Sequence, residues 1–377
     1  MTLQEVYRPA SPGHRIPFFT ALCAAFAALL AIAVAPLASA APASSSGQIV
    51  HPPAQPSEGP GSAGPCGSSS TTTVNPDDPT QKTIVYSPEG SAETPLTGGH
   101  CNDAKRPTVV LVHGLMSGID AQIAGQSVLH KDLIDHYVSQ GNVVVFSTWA
   151  TNPYDFEGSI KTLDKTIGGA EALAPRGDFD RLGIVGHSMG GGAVPYLAQK
   201  ADERGWGSEA MWLFQLAPAF TAGLGTGPIE LPEHARVVVE GYDNDQIMDN
   251  RVGIEMFNAY TLPDDQKKHI TVHGDGHGTV HKLDASHMTP NTMLHPEDAL
   301  RYYGIYRTGD ALQSCSLTGQ NCDEDLSYMG RWSDGTPVTP ATVTNEPADV
   351  GPTDVGVAVL DGECTSELNS RAANCPA

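Results

Sequence analysis

The segment Gly186-His187-Ser188-Met189-Gly190 matches the G-x-S-x-G pattern, in which a serine sits on a sharp turn between a strand and a helix. The apolar run 182–185 precedes this segment. Residues 191–198 follow it; they begin with two further glycines and have the composition of a helix. A turn this tight leaves almost no room for side chains two residues before or after the serine. The pattern therefore predicts that Ser188 is a nucleophile at the end of a buried strand.

A serine hydroxyl is a weak nucleophile unless a base and an orienting acid accompany it. After an elbow of this kind the acid is expected next along the chain and the histidine last. The strand-like run 236–240 is followed by Asp243, Asp245 and Asp249. We predict that Asp245 is the acid, because it lies in the turn that leaves the strand and Ile247 can pack it down. Asp243 is the alternative, and Asp249 better suits the N-cap of the next helix.

Histidines follow the last strand-like run, 269–273, in several places. We predict that His277 is the base, because flanking glycines let it reach over the elbow from the end of that strand. His287, in Asp-Ala-Ser-His-Met-Thr-Pro, is the alternative. His273 belongs to the strand itself and is expected to point elsewhere.

These histidines could instead bind a metal, since His273, His277 and His281 recur every four residues. That spacing would need a helix, which the glycines at 274, 276 and 278 disfavour. The sequence has no H-E-x-x-H pattern either. We therefore expect neither a metal nor another cofactor.

An oxyanion hole requires two backbone N–H groups beside the nucleophile. One is expected from Met189, directly after the serine, and the other from Leu115, in the loop that follows the run 107–112. Side chains expected to contact substrate are Met116, Phe220 and Trp149, although Trp149 suits the core equally well.

The elements that must position these residues alternate between strands and helices. Helical spacing is expected over 123–137, 158–174, 249–259 and 297–306. Such alternation predicts a mostly parallel sheet with helices on both faces and a ligand site beyond the carboxyl ends of the strands. The apolar runs that we predict as strands are 82–88, 107–112, 142–147, 182–185, 211–216, 236–240 and 269–273.

The two ends of the chain differ from this middle part. Residues 1–40 are expected to be a signal peptide, since Arg8 and Arg15 precede an apolar run that ends near Ala38-Ser39-Ala40; a membrane anchor is the alternative. Residues 41–80, rich in Pro, Ser, Gly, Ala and Thr, are expected to form a flexible linker. A catalytic domain is then expected over 81–312 and a disulfide-stapled C-terminal extension over 313–377.

The cysteines and the charge fit an exported protein. Six cysteines remain beyond the predicted signal, and their proximity suggests the pairs Cys66 with Cys101, Cys315 with Cys322 and Cys364 with Cys375. The formal net charge of −22 argues against nucleic acid and anionic membranes as partners. We expect a secreted, soluble monomer without a stable membrane anchor once the signal is removed.

These motifs resemble those of the α/β-hydrolase family, and they look most similar to secreted bacterial lipases and cutinase-like esterases of the dienelactone-hydrolase type. The resemblance covers about residues 82–312 and implies an ester hydrolase with Ser188, Asp245 and His277 as its triad. The residues that carry it are Val112-His113-Gly114, the glycine-rich elbow 186–192, the acid turn 243–247 and the segment 267–278.

The substrate is less determined than the reaction. The segment 217–235, where a cap domain would be inserted, is rich in glycine and proline, so we expect no cap and an open apolar site for esters with apolar acyl groups. Polyester-active members carry a tryptophan after Ala-Pro at the end of the fourth strand, where this chain has Ala219. Alternatives on the same residues are an acyltransferase, an amidase or peptidase, and a non-catalytic binding protein.

Overall fold

A computed structural model of the chain describes residues 49–75, 81–115, 127–152, 155–219, 223–348, 364 and 371–376. All of them belong to one structural unit, Gln48–Ala377. The predicted signal peptide, residues 1–40, lies outside the described residues.

Nine strands form a single sheet in the order β1-β2-β4-β3-β5-β6-β7-β8-β9. The central strands from β4 to β8 all pair in parallel, whereas β1, β2 and β9 pair antiparallel at the two edges. The strand bounds are β1 Gly67–Val74, β2 Lys82–Glu89, β3 Arg106–Val112, β4 Val143–Ser147, β5 Gly177–His187, β6 Ala210–Leu216, β7 Arg236–Tyr242, β8 Lys267–Val272 and β9 Thr342–Thr344.

Helices cover both faces of this sheet, which confirms the fold class expected from the sequence. One apolar layer joins the sheet to α2, α4 and α5, and the other joins it to α1 and α6. Because β3, β4 and β6 are buried along their whole length, their near-continuous apolar runs are what a doubly covered parallel sheet requires. The α-helices are α1 Lys131–Ser139, α2 Phe156–Ile167, α3 Ala170–Leu173, α4 Met189–Glu203, α5 Asn250–Ala259 and α6 Arg307–Thr318, the last preceded by a π-helical stretch, Leu300–Tyr306.

Part of the region expected to be a flexible linker, residues 41–80, forms a strand. Residues Gly67–Val74 form the edge strand β1, which pairs with all of β2 although its side chains are mostly exposed. Ser and Thr contribute little buried apolar area here, so the strand depends on backbone pairing and on the disulfide Cys66–Cys101 beside it. The apolar content that predicts strands in a core does not detect this kind of strand.

The C-terminal region is also more closely joined to the sheet than expected. Helix α6 runs across the boundary at 312, and β9 adds an antiparallel strand to β8. The three predicted disulfides, Cys66–Cys101, Cys315–Cys322 and Cys364–Cys375, are all present.

Two further features concern the β6–β7 connection and the length of the helices. Between β6 and β7 the described residues, 217–219 and 223–235, contain no helix, in agreement with the expected lack of a cap. Within the described part of the chain, no helix combines the length and apolarity needed to cross a bilayer.

Candidate active site

Ser188 stands alone between the last residue of β5 and the first residue of α4. Its backbone has φ 57° and ψ −125°, a conformation that costs a residue with a side chain about 1–3 kcal/mol. The turn is held by the end of β6: the Ser188 N–H donates to the Leu216 carbonyl at 3.0 Å, and the Ala219 N–H donates to the Ser188 carbonyl at 2.9 Å. The structure thus holds the serine in the strained elbow that the sequence predicts.

Two of the glycines around the elbow are required by close backbone contacts. A Cβ at Gly186 would lie 2.3 Å from the carbonyl oxygen of Gly190, and a Cβ at Gly190 would lie 2.2 Å from the carbonyl oxygen of Val112. Both distances are far below van der Waals contact, so a larger residue at 186 would push away the first turn of α4, and one at 190 would push the elbow away from the end of β3.

Asp245 is completely buried in the turn between β7 and α5. Its Oδ1 accepts the N–H groups of Ile247 at 2.9 Å and Met248 at 2.8 Å, which fixes the orientation of the carboxyl group. Its Oδ2 is left to face a histidine ring. The turn therefore presents one carboxylate oxygen in a defined direction.

The histidine that meets Asp245 is His287, not His277. His287 Nδ1 lies 2.8 Å from Asp245 Oδ2, and the imidazole is almost completely buried. Its ring centroid lies 4.8 Å from that of His187, the residue directly before Ser188. Because the carboxylate accepts, Nδ1 must carry the ring proton, and Nε2 is then left as a base.

His277, which the sequence analysis predicts as the base, lies elsewhere. Its exposed ring contacts Trp332, and its Nε2 lies 2.8 Å from Asp334 Oδ2 in the C-terminal region. The hydrogen bond to His277 holds the pKa of Asp334 at about 2. His277 therefore forms a hydrogen-bonded pair at the surface, and the prediction that it accompanies Asp245 is corrected.

The course of the chain after β8 explains this correction. Asp275 and Leu283 form an antiparallel bridge with N–H···O distances of 2.8 and 2.9 Å, so the residues between them fold out as a closed excursion that carries His277. The chain returns to the strand ends at Ala285, whose carbonyl accepts the Asn244 N–H at 3.0 Å. Leu283 and Ala285 on this return are buried, and their apolar types are the sequence signal that could have pointed to His287.

The other acidic candidates have different partners. Asp243 accepts from Gly274 N–H at 3.1 Å and lies 3.0 Å from His273 Nδ1. Asp249 caps α5, accepting the Arg251 N–H at 3.0 Å. Neither contacts His287 among the hydrogen bonds of the described residues.

Of the two expected oxyanion donors, Met189 adjoins the serine in the chain, and the loop that carries Leu115 passes close to it. Met189 is the first residue of α4, so its N–H has no acceptor within the helix. A Cβ at Gly114 would lie 2.7 Å from the Ser188 Cβ, which shows how closely the loop after β3 passes the nucleophile just before the half-buried Leu115.

His113 and Trp149 brace that loop. The Trp149 backbone N–H donates to His113 Nε2 at 3.2 Å, so the ring proton is on Nδ1, which donates to the Gly114 carbonyl at 2.7 Å. Burial lowers the pKa of His113 to about 3, which keeps the ring neutral. The Trp149 indole is itself buried in the core and donates to the His113 carbonyl at 3.2 Å, so it supports the loop from inside. Met116 and Phe220, also predicted to contact substrate, lie outside the described residues.

The segment that carries His287 is held by Arg301, a residue that the sequence analysis did not select. This fully buried guanidinium donates to the carbonyl oxygens of Asn291 at 2.9 Å and His295 at 3.0 Å, and it pairs with Asp132 of α1 at 2.6 Å. The loop that follows His287 and helix α1 are thereby tied to one side chain.

No group of three His, Cys, Asp or Glu side chains that could hold a metal ion occurs among the described residues. The described site offers a hydroxyl on a strained elbow and an imidazole paired with a carboxylate.

No protein-family model matches the sequence, and no curated protein matches it. Solved structures with a similar fold include an arylesterase, with 12% sequence identity and a TM-score of 0.43 over 67% of this chain and 86% of that one. Another is an inhibited esterase B from Lactobacillus rhamnosis, with 16% identity and a TM-score of 0.36 over 55% of this chain and 75% of that one. Likeness at this level carries no conclusion about function, which has to be drawn from the site.

Proposed function

We propose that this protein hydrolyses carboxylic esters through an acyl-enzyme formed on Ser188. The observation that carries the proposal is the 2.8 Å contact between Asp245 and His287 beside the strained serine elbow. Serine, acid and histidine follow one another along the chain in the order expected for this kind of elbow.

In the first step, His287 Nε2 takes the proton of the Ser188 hydroxyl as its oxygen attacks the ester carbonyl carbon. The negative charge that develops on the carbonyl oxygen is stabilised by the N–H groups of Leu115 and Met189, each donor typically contributing about 3–4 kcal/mol. His287 then returns the proton to the departing alcohol, and Asp245 stabilises the imidazolium in between.

In the second step, water takes the place of the alcohol. His287 removes a proton from the water as it attacks the acyl-enzyme, and the carboxylic acid leaves as Ser188 regains its proton. No metal or organic cofactor takes part in this proposal.

The proposed substrates are esters with apolar acyl groups. Leu115 and Ile247, partly exposed apolar residues on the loops that carry the oxyanion donor and the acid, support this choice. The helix-free described part of the β6–β7 connection leaves room for bulky groups.

We also propose that the protein is exported. Disulfides such as its three persist in oxidising compartments. Residues 1–40, in which basic residues precede an apolar run that ends in small residues, support a cleaved signal peptide.

The proposal is tested by hydrolysis of p-nitrophenyl esters of increasing chain length. The variant Ser188→Ala should lose turnover while keeping its thermal unfolding transition, and wild type should be labelled by a fluorophosphonate while the variant is not. Retained turnover in Ser188→Ala would refute the assignment of the nucleophile.

A further inference from the structure

Three buried imidazoles pack together, with His187, the residue before Ser188, next to the other two, and the mechanism above uses only one of them. The ring centroid of His187 lies 4.8 Å from that of His287 and 5.4 Å from that of His130. All three side chains are almost completely buried. Burying a histidine beside others is costly unless each ring has a hydrogen-bonding role.

His187 has such a role toward the proposed base. Its Nε2 lies 2.9 Å from the backbone carbonyl oxygen of His287. Since a carbonyl oxygen only accepts, His187 Nε2 carries the proton and donates it. His130 is placed similarly, with its Nδ1 3.4 Å from the carbonyl oxygen of Pro290, three residues further along the same segment.

The surroundings keep His187 neutral. Burial lowers its pKa well below the ordinary value, and the neighbouring imidazoles of His287 and His130 lower it further. Burial also lowers the pKa of His130 to about 4. A neutral ring next to His287 adds no positive charge that would oppose formation of the His287 imidazolium during turnover.

We infer that His187 is a positioning residue that joins the nucleophile to its base. His187 is bonded covalently to Ser188 and donates a hydrogen bond to the main chain of His287. Asp245 fixes the His287 ring, and His187 fixes the His287 backbone, so the two contacts together determine where Nε2 lies relative to the serine. This inference rests on the proposed function, and it assigns a task to the variable residue between Gly186 and Ser188.

The test compares two variants. His187→Leu has a side chain of similar size but no hydrogen-bond donor, whereas the amide nitrogen of His187→Gln can replace imidazole Nε2. We expect kcat for a p-nitrophenyl ester to fall about 10- to 100-fold in His187→Leu, with KM little changed, since small displacements of catalytic groups have effects of this size. His187→Gln should keep kcat within about threefold of wild type.

A matched control is His269→Leu, because His269 is buried in β8, where it packs on Phe257. It should lower thermal stability without lowering kcat. If His187→Leu keeps wild-type kcat, or if His187→Gln falls as far as His187→Leu while both remain folded, the inference is overturned.

A second readout does not depend on ester hydrolysis. The His287 Nδ1 proton, bound to Asp245, should give a far-downfield imidazole N–H signal in proton NMR, assigned by its loss in His287→Gln. The signal should persist in His187→Gln and His269→Leu and broaden in His187→Leu. An unchanged signal in His187→Leu overturns the inference, whereas an inactive wild type with the expected signals would overturn only the proposed function.

Discussion

Asp245 Oδ2 and His287 Nδ1 lie 2.8 Å apart although 42 residues separate them along the chain. Asp245 follows β7, and His287 lies in the loop after the neighbouring parallel strand β8, so the sheet brings both residues to the carboxyl ends of its strands. This contact decides which of the candidate histidines lies against Asp245.

Replacing His287 should remove most of the activity, whereas replacing His277 should not. We expect His287→Gln to lower kcat by about a thousandfold or more, because the serine then has no base. His277→Gln is the matched control and should keep kcat within about twofold, since it breaks only an exposed pair with Asp334. Steady-state ester hydrolysis at fixed pH decides between them, and an equal loss in both variants would speak against the assignment.

Arg301 should affect turnover without touching substrate. Arg301→Gln frees the carbonyl oxygens of Asn291 and His295 behind His287, so we expect kcat to fall about tenfold with a small change in KM. Arg307→Gln is the control, because Arg307 follows on the adjoining helix but pairs with Glu324 instead. Limited proteolysis should cut near residues 289–295 faster in Arg301→Gln only. Identical kinetics in the two variants would contradict this role.

Glu240 should make stability depend on pH. This buried carboxyl on β7 receives one hydrogen bond, from Tyr242 Oη at 2.8 Å, and burial raises its pKa to about 8. A folded-state pKa above the unfolded value means that the stabilisation is complete below the unfolded pKa and is lost as the pH rises through about 8.

Glu240→Gln removes that titration. The variant should therefore gain free energy of unfolding relative to wild type as the pH rises from the ordinary carboxyl pKa to about 8, by about 1.4 kcal/mol per pH unit, and the difference should level off above that. Urea unfolding at a series of pH values measures the difference. A difference that stays constant with pH would show that Glu240 does not titrate in this way.

The buried pair between Arg371 and Glu255 should hold the C-terminal segment on the molecule. Arg371 Nη2 lies 2.7 Å from Glu255 Oε1, and Arg371 Nη1 donates to the carbonyl oxygens of Gly225 and Gly227. Arg371→Gln leaves a carboxylate buried without its cation and should cost about 3–5 kcal/mol of unfolding free energy. The double variant with Glu255→Gln should recover part of this loss in denaturant unfolding under oxidising conditions. Equal stability of wild type and Arg371→Gln would show that this buried pair does not hold the C-terminal segment.

Much of the framework could be predicted because its signals are local. Strands β2 to β8 were predicted from short apolar runs, which is what burial on both faces of a parallel sheet requires. The elbow was predicted from glycines whose side-chain space is filled by neighbouring backbone. Asp245 could be predicted because it lies in the turn that leaves the strand, and the turn that orients it involves only residues up to Met248. Strand β1 was missed, since its stability comes from pairing with β2 rather than from apolar side chains of its own.

By itself, the sequence predicted the parallel sheet, the strained serine, the acid candidate and the three disulfide pairs, since their signals are local: apolar runs, a glycine-rich elbow, a short turn and cysteines that are neighbours in the order of the chain. Only the tertiary structure decided which of His277 and His287 lies against Asp245. The glycine-rich segment after β8 places no local restriction on its own path, so the bridge from Asp275 to Leu283 is what carries His277 out to Asp334. The contacts of His187 and Arg301 with the returning chain then set where His287 lies, and contacts over such distances cannot be deduced from spacing.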